Sequence, residues 1–219
     1  MKQSYLLLLI FFAGCSKITS ISDQVRFHDD GVVKPKVAVI KVIDTCPHNL
    51  DWDLSSEFTE YLFEQLFARS KFYLTDDFQM ITKDQLKKLE LSPFSEDMRW
   101  LLEMNSNAEF VLFTEILDHK IESQPHSNYN PLKSLKTLNI SLRVCVLDIR
   151  KNTPKVVLQE IISKQYTIAF NLGSYSEDGS ALSKNTFALS PLGLAHKNIL
   201  AEIVKEAEDY ILIAQSNLY

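Results

Sequence analysis

The first part of the chain alternates a short apolar run with a segment of helical periodicity. Residues 36–44 form a β-branched run that is apolar on both faces, as is typical of an inner sheet strand covered by helices. Apolar residues then recur at helical spacing over residues 54–69, with Asp53 or Ser55 available to cap the first turn. A second, short strand is predicted at residues 72–75. The wide apolar face of the helix should therefore lie on the sheet.

Two short helices are predicted next. The first covers residues 83–90, because Thr82 and Gln85 form a capping box before a leucine-rich stretch. The second covers residues 96–104 and is capped by Ser95.

The later part of the chain consists of long extended segments and one final helix. Segments 110–121, 138–149 and 156–168 follow one another without an intervening helix, which predicts an antiparallel meander. Ser190 caps a helix over residues 192–214. Its expected packing face consists of Leu194, Ile199, Leu200, Ile203, Val204, Ala207, Tyr210 and Ile211. Together these elements predict an α+β fold: a mixed sheet with an N-terminal strand–helix–strand unit, short helices, a three-strand antiparallel meander and a C-terminal helix packed on the sheet.

The chain divides into a leader, a linker and one domain. Its 219 residues, 46% of them hydrophobic, suit a single core, which we place at residues 35–219. Residues 15–34 are polar, with isolated apolar positions and no sustained period, and they predict a mobile linker. The alternative is an ordered arm packed on the domain, which Val25 and Phe27 favour.

The leader, residues 1–14, ends in a recognisable processing pattern. An uncharged run beginning at Leu6 follows Lys2 and is far too short to span a bilayer, so it indicates the apolar region of a signal peptide. The small residues Ala13 and Gly14 followed by Cys15 resemble the bacterial lipobox. The resemblance implies cleavage before Cys15 and acylation of that residue with fatty acids such as palmitate. The alternative is a plain secretory peptide, which would leave a soluble exported protein.

Charge argues against nucleic acid as a partner. The net charge is −5, and removal of the leader takes away one lysine and no acid, which makes it −6. Basic residues occur singly or in pairs such as Lys87-Lys88, whereas a phosphate-binding surface needs them clustered. No second apolar run reaches membrane-spanning length. We therefore expect contact with the membrane only through a lipid on Cys15.

Candidate chemistry is sparse. Cys46 and His48 could supply two soft metal ligands but have no matching second pair, so no metal site is predicted. Cys46 and Cys145 could form a disulfide bond, although buried free thiols are the favoured interpretation. The sequence shows no serine in a strained turn that His119 could activate as a nucleophile. His196 is expected to be a partly exposed helical residue. No catalytic residue, metal or cofactor is therefore predicted.

The order of elements resembles a group of envelope domains: the periplasmic domain of the curli secretion lipoprotein, the lipoprotein activator of penicillin-binding protein, and the N-terminal domain of the Tol-Pal translocation protein. The resembling segments are residues 37–40, 72–75 and 107–112. The resemblance implies a periplasmic α+β domain and transfers no functional side chain. An unrelated domain with the same element order is the alternative.

These observations predict a non-enzymatic envelope lipoprotein that acts as a binding adapter in cell-envelope or cell-wall assembly. Ser16, in the place where Asp favours inner-membrane retention, indicates the outer membrane, with the domain facing the periplasm. Tyr175 and Phe187, in a loop expected from Tyr166 to Phe187, are the predicted partner anchors. The alternative function is an oligomeric component of an outer-membrane secretion or transport system, and a hydrolase is a distant third.

Overall fold

The computed structural model describes residues 24–46, 52–75, 100, 107–123, 134–170, 187 and 189–216. Their helices and strands are β1 (Lys36–Val39), β2 (Ile43–Asp44), α1 (Leu54–Arg69), β3 (Tyr73–Thr75), β4 (Phe110–Ser123), β5 (Ser134–Asp148), β6 (Lys155–Phe170) and α2 (Pro191–Ser216). The predicted short helices lie outside the described residues, except for Trp100, which is helical.

The strands form one mixed sheet in the order β3-β1-β4-β5-β6, with β2 also paired to β4. Strands β1 and β3 pair in parallel, as do β1 and β4. Strands β4, β5 and β6 form the predicted antiparallel meander. The α+β fold class is therefore confirmed.

The run predicted as one strand over residues 36–44 is broken between β1 and β2. At the break, the Val42 backbone N–H donates to Thr59 Oγ1 at 2.9 Å, and the Val42 carbonyl accepts from the Ser55 hydroxyl. Both side chains belong to α1. These two groups of Val42 therefore bond to the helix, which divides the predicted strand and ties it to α1.

Helices α1 and α2 pack on one face of the sheet and enclose the main core. Most of the predicted packing face of α2 is buried, but Leu194 and Tyr210 are 46% and 39% exposed, so the prediction is wrong for these two residues. A smaller cluster on the opposite face includes Cys145, whereas Cys46 packs against the main core. Both thiols are free, so the predicted alternative of a disulfide bond is not formed.

An ordered arm precedes the sheet. The side-chain amide of Gln24 accepts from the Leu74 N–H at 2.7 Å and donates to the Leu74 carbonyl at 3.3 Å, and so pairs with β3 much as a neighbouring strand would. Phe27 and Val33 form an antiparallel bridge, around a turn in which Gly31 has a φ of 81°. Residues 24–34 are therefore hydrogen-bonded to the domain, and the rest of the predicted linker lies outside the described residues. Cys15 lies outside the described residues.

Candidate functional site: a buried glutamate–histidine–histidine chain

Three polar side chains meet where α1 and α2 cross the sheet. Glu57 lies in the first turn of α1, His196 in the second turn of α2, and His119 on β4. His196 is fully buried and His119 is 5% exposed, and the side chain of Glu57 is 12% exposed. Polar groups buried to this extent cost free energy unless they are hydrogen-bonded.

The three side chains form a continuous hydrogen-bonded chain. His196 Nδ1 lies 2.8 Å from Glu57 Oε1, and His196 Nε2 lies 3.0 Å from His119 Nε2. Because a carboxylate only accepts, Nδ1 of His196 donates to Glu57. This leaves Nε2 of a neutral His196 as an acceptor, to which His119 Nε2–H donates. The second carboxylate oxygen of Glu57 accepts from Trp52 Nε1 at 2.8 Å.

Aromatic rings enclose the central histidine. The Phe58 ring meets the His196 ring edge-on, with centroids 4.9 Å apart. The centroid of the Phe187 ring lies 6.1 Å from that of His196 and 5.3 Å from that of Trp52. Phe187 and Trp52 are both partly buried. The low local polarity strengthens the hydrogen bonds of the chain.

A β-bulge brings His119 to this face of the sheet. Ile116 faces the main core, and strict alternation along β4 would turn His119 to the opposite face. The register instead shifts between Ile116 and Asp118, so that Leu117 is an extra residue. His119 therefore faces the helices.

The burial of His196 contradicts the expectation of a partly exposed helical residue. His196 lies on the stripe formed by Leu192, Ile199 and Ile203, which are all buried. This spacing was visible in the sequence. It is the one signal that could have identified the site.

The geometry of the histidine pair is that of a hydrogen bond. The ring centroids are 5.1 Å apart and the two nitrogens 3.0 Å, so the nitrogens point almost directly at each other. Two ligands of a tetrahedral metal would instead converge on a third point. Among the described residues no group of three or more potential ligands could hold a metal ion.

Cys46 is the nucleophilic side chain in the same region. Its thiol donates to the Ile116 carbonyl at 3.3 Å. Burial and, to a smaller extent, the nearby carboxylates of Asp44, Asp118 and Glu115 together raise the pKa of Cys46 to about 11. At neutral pH the group is therefore a protonated thiol rather than an activated thiolate.

The predicted site residues fall into different places. Cys15, His48 and Tyr175 lie outside the described residues. Tyr166 belongs to β6, so the expected loop does not begin there. Phe187 packs against the main core and contacts Trp52 and His196 rings, and its role as a partner anchor stays a prediction.

No helix in the described part of the chain combines the length and apolar character needed to cross a bilayer.

Comparison with solved structures gives several similar chains. The hypothetical protein CT253 from Chlamydia trachomatis is 27% identical with a TM-score of 0.60, over 82% of this chain and 98% of that chain. Protein XCC0632 from Xanthomonas campestris is 9% identical with a TM-score of 0.50, over 84% and 90% of the two chains, and it shares the fold alone. Lipoprotein GNA1162 from Neisseria meningitidis is more distant, at 13% identity and a TM-score of 0.34, over 77% and 99%. The resemblance to the curli-secretion, penicillin-binding-protein-activator and Tol-Pal group stays a prediction.

Comparison with curated proteins gives no match. A family model matches residues 23–215, which include every helix and strand described above except the last residue of α2. The chain therefore belongs to DUF7499, a family of unknown function.

Proposed function

We propose that this protein is a lipid-anchored, non-enzymatic envelope protein whose domain binds another envelope protein in cell-envelope or cell-wall assembly. The observation that carries the proposal is the apolar leader ending in Ala13, Gly14 and Cys15. An acylated Cys15 would hold the domain at a membrane, on the outer membrane and facing the periplasm.

The buried chain of Glu57, His196 and His119 supports a structural rather than a catalytic role for this region. Both oxygens of Glu57 and both ring nitrogens of His196 are used within the protein, and the bonds join α1, α2 and β4. A fully buried, fully bonded group stabilises one arrangement of the elements around it. It does not present a reactive atom to a substrate.

The end of the domain next to this chain offers apolar surface for a partner. Leu189 is 74% exposed and Leu194 is 46% exposed, and both lie close in sequence to Phe187. Exposed apolar side chains that flank partly buried aromatic residues are typical of protein-binding surfaces.

The anchor is tested by the mass of the full-length protein expressed in a Gram-negative host and extracted from membranes with detergent. We expect loss of residues 1–14 and added mass from acyl chains, and Cys15→Ser should remove both changes. An N-terminus that is unprocessed, or processed without acyl chains, would contradict the proposal. Density-gradient separation of inner and outer membranes tests the location.

The partner is tested by photo-crosslinking in cells. A photoreactive amino acid replaces Leu194, and in the matched control it replaces Gln159, an exposed residue of β6. We expect one envelope protein to be enriched by crosslinks at position 194 and not at 159. Crosslinks to the same proteins from both positions would argue against this surface. A ring of many copies in detergent would support the secretion-component alternative instead.

A further inference from the structure

One end of the sheet gathers the termini of most elements. The strand register places Lys36 beside Tyr73, Phe110 beside Asp148, and Asp148 beside Lys155. Strands β1, β3, β4 and β6 therefore begin along this row, where β5 ends. Helix α2 also ends here, because Arg150 donates to the Ala214 carbonyl at 3.0 Å. We call this row and the adjoining arm of residues 24–34 the basal end.

Exposed apolar side chains are concentrated at the basal end. Of the eleven exposed large hydrophobic residues in the described part of the chain, seven lie on the arm, at the start of β6 or near the end of α2. They are Val25, Phe27, Val32, Val33, Val156, Tyr210 and Ile213. The arm and the helix meet here, since Gln215 Nε2 donates to the Val33 carbonyl at 3.5 Å.

Two apolar side chains of the arm share one face. Phe27 and Val33 lie directly opposite each other in the hairpin, so both project to the same side. Phe27 is 50% exposed and Val33 is 42% exposed, and the neighbouring Val25 and Val32 are 66% and 54% exposed. A contiguous apolar patch on a folded protein usually marks a surface that is covered in use.

Basic side chains accompany this apolar surface. Arg26 lies on the arm, and Lys151 and Lys155 flank the turn between β5 and β6, all three exposed. The protein as a whole has a net charge of −5, but these three basic residues give the basal end positive charges that could contact an anionic surface. Two exposed acidic residues, Asp29 and Asp30, lie at the tip of the hairpin, where Asp30 accepts from the Val32 N–H at 3.0 Å.

The length of the tether determines which end of the domain can reach the membrane. Eight residues lie between Cys15 and Gln24, and the nine steps from one to the other span at most about 32 Å. Gln24 is held beside Leu74 in β3, one residue from the basal row. The 26 residues of α2 extend about 39 Å from the basal end to the far end. The tether is therefore shorter than the distance to the far end of the helix.

We propose that the basal end rests on the bilayer that holds the acyl chains of Cys15, with the apolar face of the arm in the headgroup region. This inference depends on the proposed lipid anchor. Apolar side chains with neighbouring lysine and arginine are the chemistry that binds an anionic lipid interface. Leu194 and the partly buried Trp52 and Phe187 then face away from the membrane.

The test uses the lipidated full-length protein in vesicles of phosphatidylethanolamine and phosphatidylglycerol. A fluorescent label is attached at Phe27→Cys, with Leu194→Cys as the matched control, because these two apolar side chains are similarly exposed at opposite ends. Lipids carrying a quencher in the acyl chain should quench the label at position 27 several-fold more than at position 194. Ile213→Cys gives an independent basal position, on α2 rather than on the arm.

The outcomes separate this inference from the one on which it depends. Flotation of the protein with vesicles, abolished by Cys15→Ser, reports the anchor itself. If flotation is normal but quenching is equal at positions 27, 213 and 194, or is strongest at 194, the basal end does not lie on the bilayer. If flotation fails because no acyl chain is present, the anchor proposal fails and this inference fails with it.

Discussion

Replacing His196 with alanine tests whether the buried glutamate–histidine–histidine chain holds the domain together. The imidazole joins two partners from different elements, Glu57 Oε1 at 2.8 Å and His119 Nε2 at 3.0 Å, and it is fully buried. Alanine removes both hydrogen bonds and leaves an empty volume between Phe58 and Phe187. We expect His196→Ala to be strongly destabilising.

The magnitude follows from what remains behind. A buried polar group left without its partner costs about 1–3 kcal/mol, and the side chain of Glu57, 12% exposed, is the main group affected. Loss of a buried ring adds a cavity cost, so the total decrease in the free energy of unfolding should be about 3–4 kcal/mol. That is a large fraction of the roughly 5–15 kcal/mol typical of a domain. The measurement is urea denaturation followed by circular dichroism.

Two variants distinguish the stability lost with the hydrogen-bonded network from the general cost of a substitution in this helix. Leu194→Ala changes an exposed residue of the same helix and should cost about 0.5 kcal/mol. His196→Asn keeps a donor toward Glu57 while losing the bond to His119, so it should lie about 1–2 kcal/mol above the alanine variant in stability. If His196→Ala unfolds within about 0.5 kcal/mol of Leu194→Ala, the chain does not stabilise the fold and this reasoning is refuted.

Three further predictions concern single ionisable groups. Hydrogen bonds from the hydroxyl and N–H of Ser56 hold the pKa of Asp53 below its ordinary value. In urea denaturation, Asp53→Ala should therefore lower the free energy of unfolding by about 1 kcal/mol at pH 7, and by progressively less below a pH of about 3.9. Asp53→Asn should keep the cap. Burial alone would raise the pKa of Asp148, but the hydrogen bonds from Arg150 outweigh burial, so the pKa is lowered. Asp148→Asn should therefore lower the free energy of unfolding by about 1.5–3 kcal/mol at pH 7, and this difference should disappear in strong acid. With a pKa of about 11, Cys46 should react with iodoacetamide at pH 8 about 100-fold more slowly than a free cysteine, as followed by mass spectrometry, and a rate equal to that of free cysteine would contradict its burial.

The element order could be predicted because it depends on local patterns. The stripe over Leu54–Arg69 places a helix where the structure has one, and Asp53 caps it through the Ser56 N–H at 3.1 Å. The three long strands of the meander, Phe110–Ser123, Ser134–Asp148 and Lys155–Phe170, were each predicted as a strand. Each extends beyond the predicted limits at one end or both, although the second ends one residue earlier than predicted. The ends of a strand depend on which neighbouring strands it pairs with, and the residue pattern within one segment contains no information about those neighbours.

The site could not be predicted because it depends on departures from regular patterns. The break at Val42 arises from hydrogen bonds to Ser55 and Thr59, whose side chains are brought there only by tertiary packing. His119 reaches the core face through the extra residue Leu117, and a bulge of one residue leaves no mark in an apolar run. His196 lay on a readable stripe, but the partner that makes its burial favourable, Glu57, is 139 residues away.

The contacts of α2 link the two proposals about this protein. His196 near its start is bonded to Glu57 and His119, and Ala214 near its end accepts from Arg150, so both ends of the helix are held by hydrogen bonds. A rigid helix of 26 residues keeps its ends about 39 Å apart. If the basal end rests on the bilayer, a partner at Leu194, 22 residues from the end of the helix, is therefore held at most about 33 Å above the lipid. In His196→Asn, the milder variant, the far end of the helix should be loosened while the arm stays at the membrane. If both proposals hold, partner crosslinking at Leu194 should then decrease while lipid quenching at Phe27 is unchanged.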